Sequence, residues 1–199
     1  MTTQVAYVED IVLVDRCLDG QEAAARDLFR RHRARVHASL YRILGSNRDM
    51  DDLLQEVFVQ VFASLRSWRA EASLATWIDR IAVRVAWRSI ARRRARPPED
   101  ELGDLDAPGA DVGGARAVQA REGVRRLYAA LATLSPPARV AFALHEIDGR
   151  PLAEVATVTG ASLTATKLRV WRARRALHAL AAADPVLRDF LDDAAGGDR

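Results

Sequence analysis

The sequence predicts an all-α protein: two small helical domains joined by an acidic, flexible linker. Three observations carry this prediction. Periodicity is helical almost throughout, and the short β-branched runs at residues 12–14 and 155–159 sit inside helical-length segments. Punctuation is uneven. Between Asp19 and Arg96 there is no proline and glycine occurs only at Gly20 and Gly45, whereas Pro97-Pro98 opens a Gly-, Pro- and Asp-rich stretch to Gly114. Charge is segregated as well. Residues 84–96 hold six Arg and no acid, residues 97–111 six acids and no base, and residues 167–175 five bases and no acid. A formal charge of only +3 therefore hides two concentrated basic blocks, and local fields rather than net charge select partners.

The boundaries follow from this punctuation. They are an N-terminal extension over 1–20, a first helical domain over 21–96, the linker over 97–114, a second domain over 115–182 and an acidic tail over 183–199. Within the tail, a partly helical segment fits 185–193. With 49% apolar and 29% charged residues the composition is that of a soluble globular protein. The first residues lack the basic start and apolar segment of a signal peptide. No run approaches the ~18 apolar residues of a membrane span. A cytoplasmic location without membrane insertion is expected. Cys17 is the single cysteine, which excludes an internal disulfide and a Cys-rich zinc site. His32 and His37, five apart, do not share a helix face, and no metal or other cofactor is expected.

In the first domain, Leu54, Phe58, Val61 and Leu65 recur at helical spacing and form a core stripe. Asp52, Gln55, Glu56 and Val59 fall on the opposite side, either as a solvated face or as a docking face with acidic hooks around an apolar contact. Asp51 belongs to the same acidic first turn, where carboxylates favour the helix N-terminus. Residues 69–73 read as a loop, with Trp68 at its edge and Ser73 as N-cap of the next helix. In that helix Trp77, Ile81, Val85 and Ile90 face a core. Arg80, Arg84, Arg88 and Arg92, spaced by four, line one stripe suited to a phosphate backbone, and neighbouring aromatics suit base stacking.

In the second domain, Ser135-Pro136 reads as an N-cap with proline at the first helical position. That helix ends at Gly149. A shorter helix over 151–158, a turn at 159–161 with Gly160, and a longer basic helix over 163–180 form a helix-turn-helix signature. Thr166, Val170, Ala173 and Leu177 make the core seam of the last helix. Thr164, Lys167, Leu168, Trp171, Arg172 and Arg175 fall outside, where Arg and Lys suit phosphates or guanine edges and Leu or Trp suits thymine methyls.

These residues in this order resemble the extracytoplasmic-function (ECF) group of bacterial sigma factors, over about 23–96 and 123–180. The stretch 49–58, DMDDLLQEVF, resembles region 2.2. Ser67-Trp68-Arg69, Thr76-Trp77-Ile78 and Arg80-Ile81-Ala82 resemble the segment that opens the −10 element. Residues 134–139, 146–149, 154–156 and 172–174 resemble region 4.

The resemblance implies a promoter-specificity subunit without catalytic residues that recognises the −35 and −10 elements and helps melt the promoter. Asp51, Asp52, Gln55, Glu56 and Val59 would dock on the β′ clamp helices of core RNA polymerase. Trp68, Arg69, Glu71 and Ser73 would receive a flipped −10 base, and Arg80, Arg84, Arg88 and Arg92 would hold that strand. Thr164, Lys167, Leu168, Trp171, Arg172 and Arg175 would lie in the −35 major groove, with region 4 near the β flap. Many members are held by an anti-sigma factor that wedges between the domains.

The sequence departs from the family pattern at Arg84 (usually Asn), Arg88 (usually Asp), Thr164-Ala165-Thr166 (usually Gly-Thr-Val) and Leu168 (usually small and polar), which bears on base preference. The linker's acids also suit folding back on the Arg block. A free-standing helix-turn-helix regulator is the alternative, although such a protein needs a ligand pocket or dimer interface, and residues 20–96 carry no ligand signature. An enzyme is disfavoured: there is no Gly-rich phosphate loop, metal cluster or nucleophile motif.

Overall fold

The computed structural model describes residues 2–95 and 115–196. The linker expected over 97–114 lies outside the described residues, and so does its fold-back on the Arg block. The described residues form nine α-helices and no strand: α1 (Thr2–Leu18), α2 (Glu22–Leu44), α3 (Met50–Ser64), α4 (Leu74–Arg94), α5 (Ala115–Thr133), α6 (Pro136–Phe142), α7 (Leu152–Thr159), α8 (Leu163–Ala181) and α9 (Pro185–Gly196). A 3-10 turn (Leu65–Ser67) follows α3, and one π-helical turn (Ala143–Ile147) extends α6.

The first bundle forms because α2, α3 and α4 each carry an apolar stripe that must be covered. Leu28, Val36, Leu40 and Ile43 of α2 meet Leu54, Phe58 and Val61 of α3 and Ile78, Ile81, Val85 and Ile90 of α4. Phe29 and Phe58 meet edge to face at 4.6 Å between ring centroids. Trp77 is half-buried at the edge of this core. The stretch read as an N-terminal extension contributes Leu13 and Val14 to the same core.

In the second domain the seam of α8 is buried as its periodicity requires: Thr166, Val170, Ala173 and Leu177 all face inward. Gly160 ends α7 at φ +65°, a conformation that costs glycine little, and turns the chain into α8. Ser162 caps α8, its Oγ accepting from Ala165 N at 3.1 Å. Ser135 holds the N-cap position of α6, but its side chain makes no capping bond. Pro136 and Pro137 occupy the first two helical positions, where they carry no N–H that would need a partner.

The C-terminal segment is more than an acidic tail. α9 inserts Leu187 into the core of α5 and α8, and Phe190 lies over Gly123, where a Cβ would come within 2.3 Å of the ring. Asp184 starts the helix by accepting from Leu187 N and pairing with Arg126.

The two domains lie against each other. Val140, Leu144, Val155, Val158 and Val170 join the core of the first bundle. Tyr128 Oη donates to the Arg42 carbonyl at 2.9 Å. Its ring fills the space beside Gly45, which ends α2 at φ +70°.

Candidate nucleic-acid interface

On α3, the helical period places Asp51, Asp52, Gln55 and Val59 in solvent, with Val59 60% exposed. The exposed Phe62 continues this face one turn on. With Phe29 and Arg33 of α2 it borders a shallow groove that also takes in Leu54 and Phe58. Phe29, Arg33 and Phe62 went unread in the sequence. The spacing of Phe62 from Val59 was the available signal, whereas the contribution of α2 depends on packing.

Glu56 behaves differently from its neighbours. It is half-buried and pairs with Arg88 at 3.0 Å and Arg92 at 3.2 Å. One carboxylate read as a docking hook thus holds two arginines read as strand contacts.

The segment 68–73 is a fixed scaffold. Trp68 Nε1 donates to the Ala72 carbonyl at 3.0 Å, so the indole ties the loop closed across four residues. Ala70 sits at φ +57°. Ser73 Oγ accepts from Thr76 N at 3.2 Å, and Asp10 Oδ2 of α1 accepts from Leu74 N at 3.2 Å. Two orphan N–H groups of α4 are satisfied from two different segments. Arg69, Glu71 and Ser73 point outward from this frame, while Trp68 is half-buried.

Along α4 the arginine stripe is unequal. Arg80 donates from Nε to the Thr157 carbonyl at 3.1 Å, Arg84 is exposed, and Arg88 and Arg92 engage Glu56. Arg93 adds a pair with Asp49.

On α8 the outer face is open. Thr164, Lys167, Leu168, Trp171, Arg172 and Arg175 are all exposed. The Arg175 guanidinium lies 5.5 Å from the Trp171 ring centroid, within cation–π range. Arg174, on the flank, donates twice to Glu146 at 2.7 and 3.1 Å and ties α8 to the π-helical turn after α6. Behind α8, Glu122 is held at a pKa of about 2 by its hydrogen bonds with Arg125 and Arg126. No cluster of metal-ligating side chains occurs among the described residues, and no described helix is long and apolar enough to cross a membrane.

Comparison with known proteins gives this geometry a family. The family model for Sigma-70 region 2 matches residues 28–96, and that for Sigma-70, region 4, matches residues 124–177. The ECF RNA polymerase sigma-E factor of Escherichia coli K12 is 28% identical over 176 residues, covering 84% of this chain and 92% of the relative. The Haemophilus influenzae sigma-E factor is likewise 28% identical, over 177 residues. Among solved structures, CnrH in complex with the cytosolic domain of CnrY superposes with a TM-score of 0.60 at 26% identity, over 88% of this chain and 98% of that one. The sigma factor RpoE in complex with the anti-sigma factor NepR from Bartonella quintana shares the fold at a TM-score of 0.54 and 23% identity, over 80% and 97% of the two chains. These matches favour a polymerase subunit over a free-standing regulator. With both region models matched in order across the two helical domains, the chain belongs to the ECF group of the sigma-70 family, the promoter-specificity subunits of RNA polymerase.

Proposed function

We propose a division of labour along the chain. The exposed face of α3, with Asp51, Asp52, Gln55 and Val59, docks on core polymerase. The rigid loop with Arg69, Glu71 and Ser73, backed by Trp68, receives the −10 strand, and Arg80, Arg84, Arg88 and Arg92 follow its phosphates. The outer face of α8, with Thr164, Lys167, Leu168, Trp171, Arg172 and Arg175, reads the −35 element in the major groove. Glu56 joins the first two surfaces, because it accepts Arg88 and Arg92 while flanking the docking face. We read the protein as acting in the cytoplasm and contributing binding energy and position, with the chemistry left to the polymerase.

The observation that best supports this reading is the sorting of α8. Its seam is fully buried, yet Trp171 is 53% exposed beside four cationic side chains at 167, 172, 174 and 175. A large exposed aromatic amid cations has a purpose on nucleic acid that it lacks in solvent.

The test is run-off transcription from a genomic promoter library, with core polymerase alone and with the protein added. New, specific start sites are expected. They should disappear with Asp52→Ala/Val59→Ala, which removes docking without freeing Arg88 and Arg92, and shift or weaken with Arg172→Ala. Start sites indifferent to both changes would sink the residue assignments. Absence of start sites, with specific duplex binding by the protein alone, would restore the free-standing regulator.

A further inference from the structure

Among the described residues, Asp79 stands out as a buried acid. Its side chain is 2% exposed, in the middle of α4, and it accepts hydrogen bonds from two arginines of different domains. Arg35 of α2 approaches Oδ2 at 2.7 Å through Nη2 and at 3.1 Å through Nε. Arg150, just before α7, reaches the same oxygen through Nη1 at 2.6 Å. Arg150 is itself buried, and its remaining donors go to Ser39 Oγ of α2 at 2.6 Å and Asp148 at 2.6 Å. Around this centre lie Arg42 with Asp148 at 2.7 Å and Glu154 within 3.4 Å of both Arg35 and Arg150. Arginine-to-carbonyl hydrogen bonds extend the seam: Arg139 donates to the Ile43 and Leu44 carbonyls, Arg80 to Thr157, and Arg94 to Ala132 and Leu134.

We propose that this cluster is a latch that holds the two domains closed in the free chain, and that promoter engagement requires it to open. The closed form cannot meet both promoter elements. Their positions put them about 25 base pairs apart, on the order of 85 Å along B-form DNA. In the closed form α4 touches α7, and α8 follows α7 after a short turn. A helix of 19 residues is only about 28 Å long, so no residue of α8 reaches that distance from α4. Closure also takes Arg80 out of the phosphate-binding stripe.

The cluster has the chemistry of a latch rather than a staple. On opening, Asp79 keeps Arg35 and Arg150 keeps Asp148 and Glu154, so neither domain is left with an unpaired buried charge. What is lost is the shared contact, together with the apolar cover that Val140, Leu144, Val155 and Val158 receive. That loss must be offset by polymerase and DNA. The latch itself rests on the free chain's geometry; only its consequence for promoters rests on the sigma-factor reading.

The test places spin labels at Arg66→Cys and Ala153→Cys, two exposed sites on opposite domains, in the full chain with Cys17→Ser, and measures their distance distribution. The free protein should give one narrow distribution. Asp79→Asn, which keeps shape and removes charge, should raise the ratio of open to closed population by roughly tenfold or more, and Arg150→Gln should do the same from the other side of the seam. Core polymerase with promoter DNA should lengthen the distance in the unmodified protein. A broad, long distribution in the free chain overturns the latch. So does an unchanged distribution in both variants, or loss of far-UV helicity in both, which would make the cluster part of the fold itself. The free-chain readings involve neither polymerase nor DNA, so their failure is distinct from failure to initiate transcription. If the free chain is closed but polymerase and promoter do not lengthen the distance, the required opening is refuted.

Discussion

α4 and α8 each carry a basic face, and they hold their cations in opposite ways. On α4, Arg80, Arg88 and Arg92 are bound to a carbonyl of the other domain and to Glu56. On α8, Lys167, Arg172 and Arg175 stand in solvent and only Arg175 has a partner, the Trp171 ring. The difference teaches that a basic stripe is not equivalent to an available one. The outer cations of α8 already stand open to solvent, whereas Arg80, Arg88 and Arg92 of α4 would have to give up internal partners before meeting a phosphate.

The harshest way to break this comparison is to remove the support behind each helix. Leu177→Ala on the α8 seam and Ile81→Ala on the α4 seam should each cost about 2–5 kcal/mol of stability, since both side chains are buried and would leave cavities. Urea unfolding followed by circular dichroism reads the loss, and a cost well under 1 kcal/mol at either site would contradict the packing described.

The next effect lies on the open face. Arg172→Ala should weaken binding of −35 duplex by about 1–3 kcal/mol if it meets a base edge, with relaxed sequence preference. If it meets a phosphate, the loss is uniform across sequences and the salt slope falls by about 1. Fluorescence anisotropy at several salt concentrations separates the two.

Glu56→Gln sharpens the contrast from the other side. Freeing Arg88 and Arg92 should strengthen binding of single-stranded DNA at low salt and steepen its salt dependence by up to about 2 in slope. The effect vanishes if those arginines never reach phosphate.

The two caps give a smaller, paired test. Ser162→Ala should cost about 1 kcal/mol because its Oγ bonds Ala165 N, and Ser135→Ala should be close to neutral because its side chain caps nothing. Equal losses in thermal unfolding would contradict the difference.

The smallest effect is one of pH. Burial lowers the pKa of His32 below its ordinary 6.5, and its Nε2 is buried without a partner among the described residues. A depressed value means the unfolded chain binds the proton more readily. Its contribution is therefore present above pH 6.5 and is lost as pH falls through the folded value. His32→Gln should flatten the fall in melting temperature between pH 7 and 5; an unchanged slope would remove His32 as its cause.

Much of this was legible in the sequence, because helical periodicity is a local property. The α8 seam and outer face, the α3 stripe from Leu54 to Leu65, and the Ser73 cap all stand where spacing puts them. Ser135 holds the N-cap position that the sequence assigns it, but its side chain makes no capping bond, a rotamer choice that spacing does not determine. Trp68 showed itself as an aromatic beside a loop, but not as the donor that closes it. The C-terminal segment reads as an acidic tail with a partly helical stretch over 185–193; that Leu187, Phe190 and Leu191 dock this helix on the second domain depends on packing across the chain.

By itself, then, the sequence determined an all-α chain of two domains, the core stripe of each helix and the face each leaves outward, since 3.6 residues per turn converts spacing into direction. It also carried enough matched motif to place the chain among ECF sigma factors. Only the tertiary structure decided which charges are spoken for. Asp79 and Arg150 are 71 residues apart, Glu56 and Arg92 thirty-six. Ion pairing depends on distance in space and on exclusion of water, and neither is written in the spacing of the residues concerned.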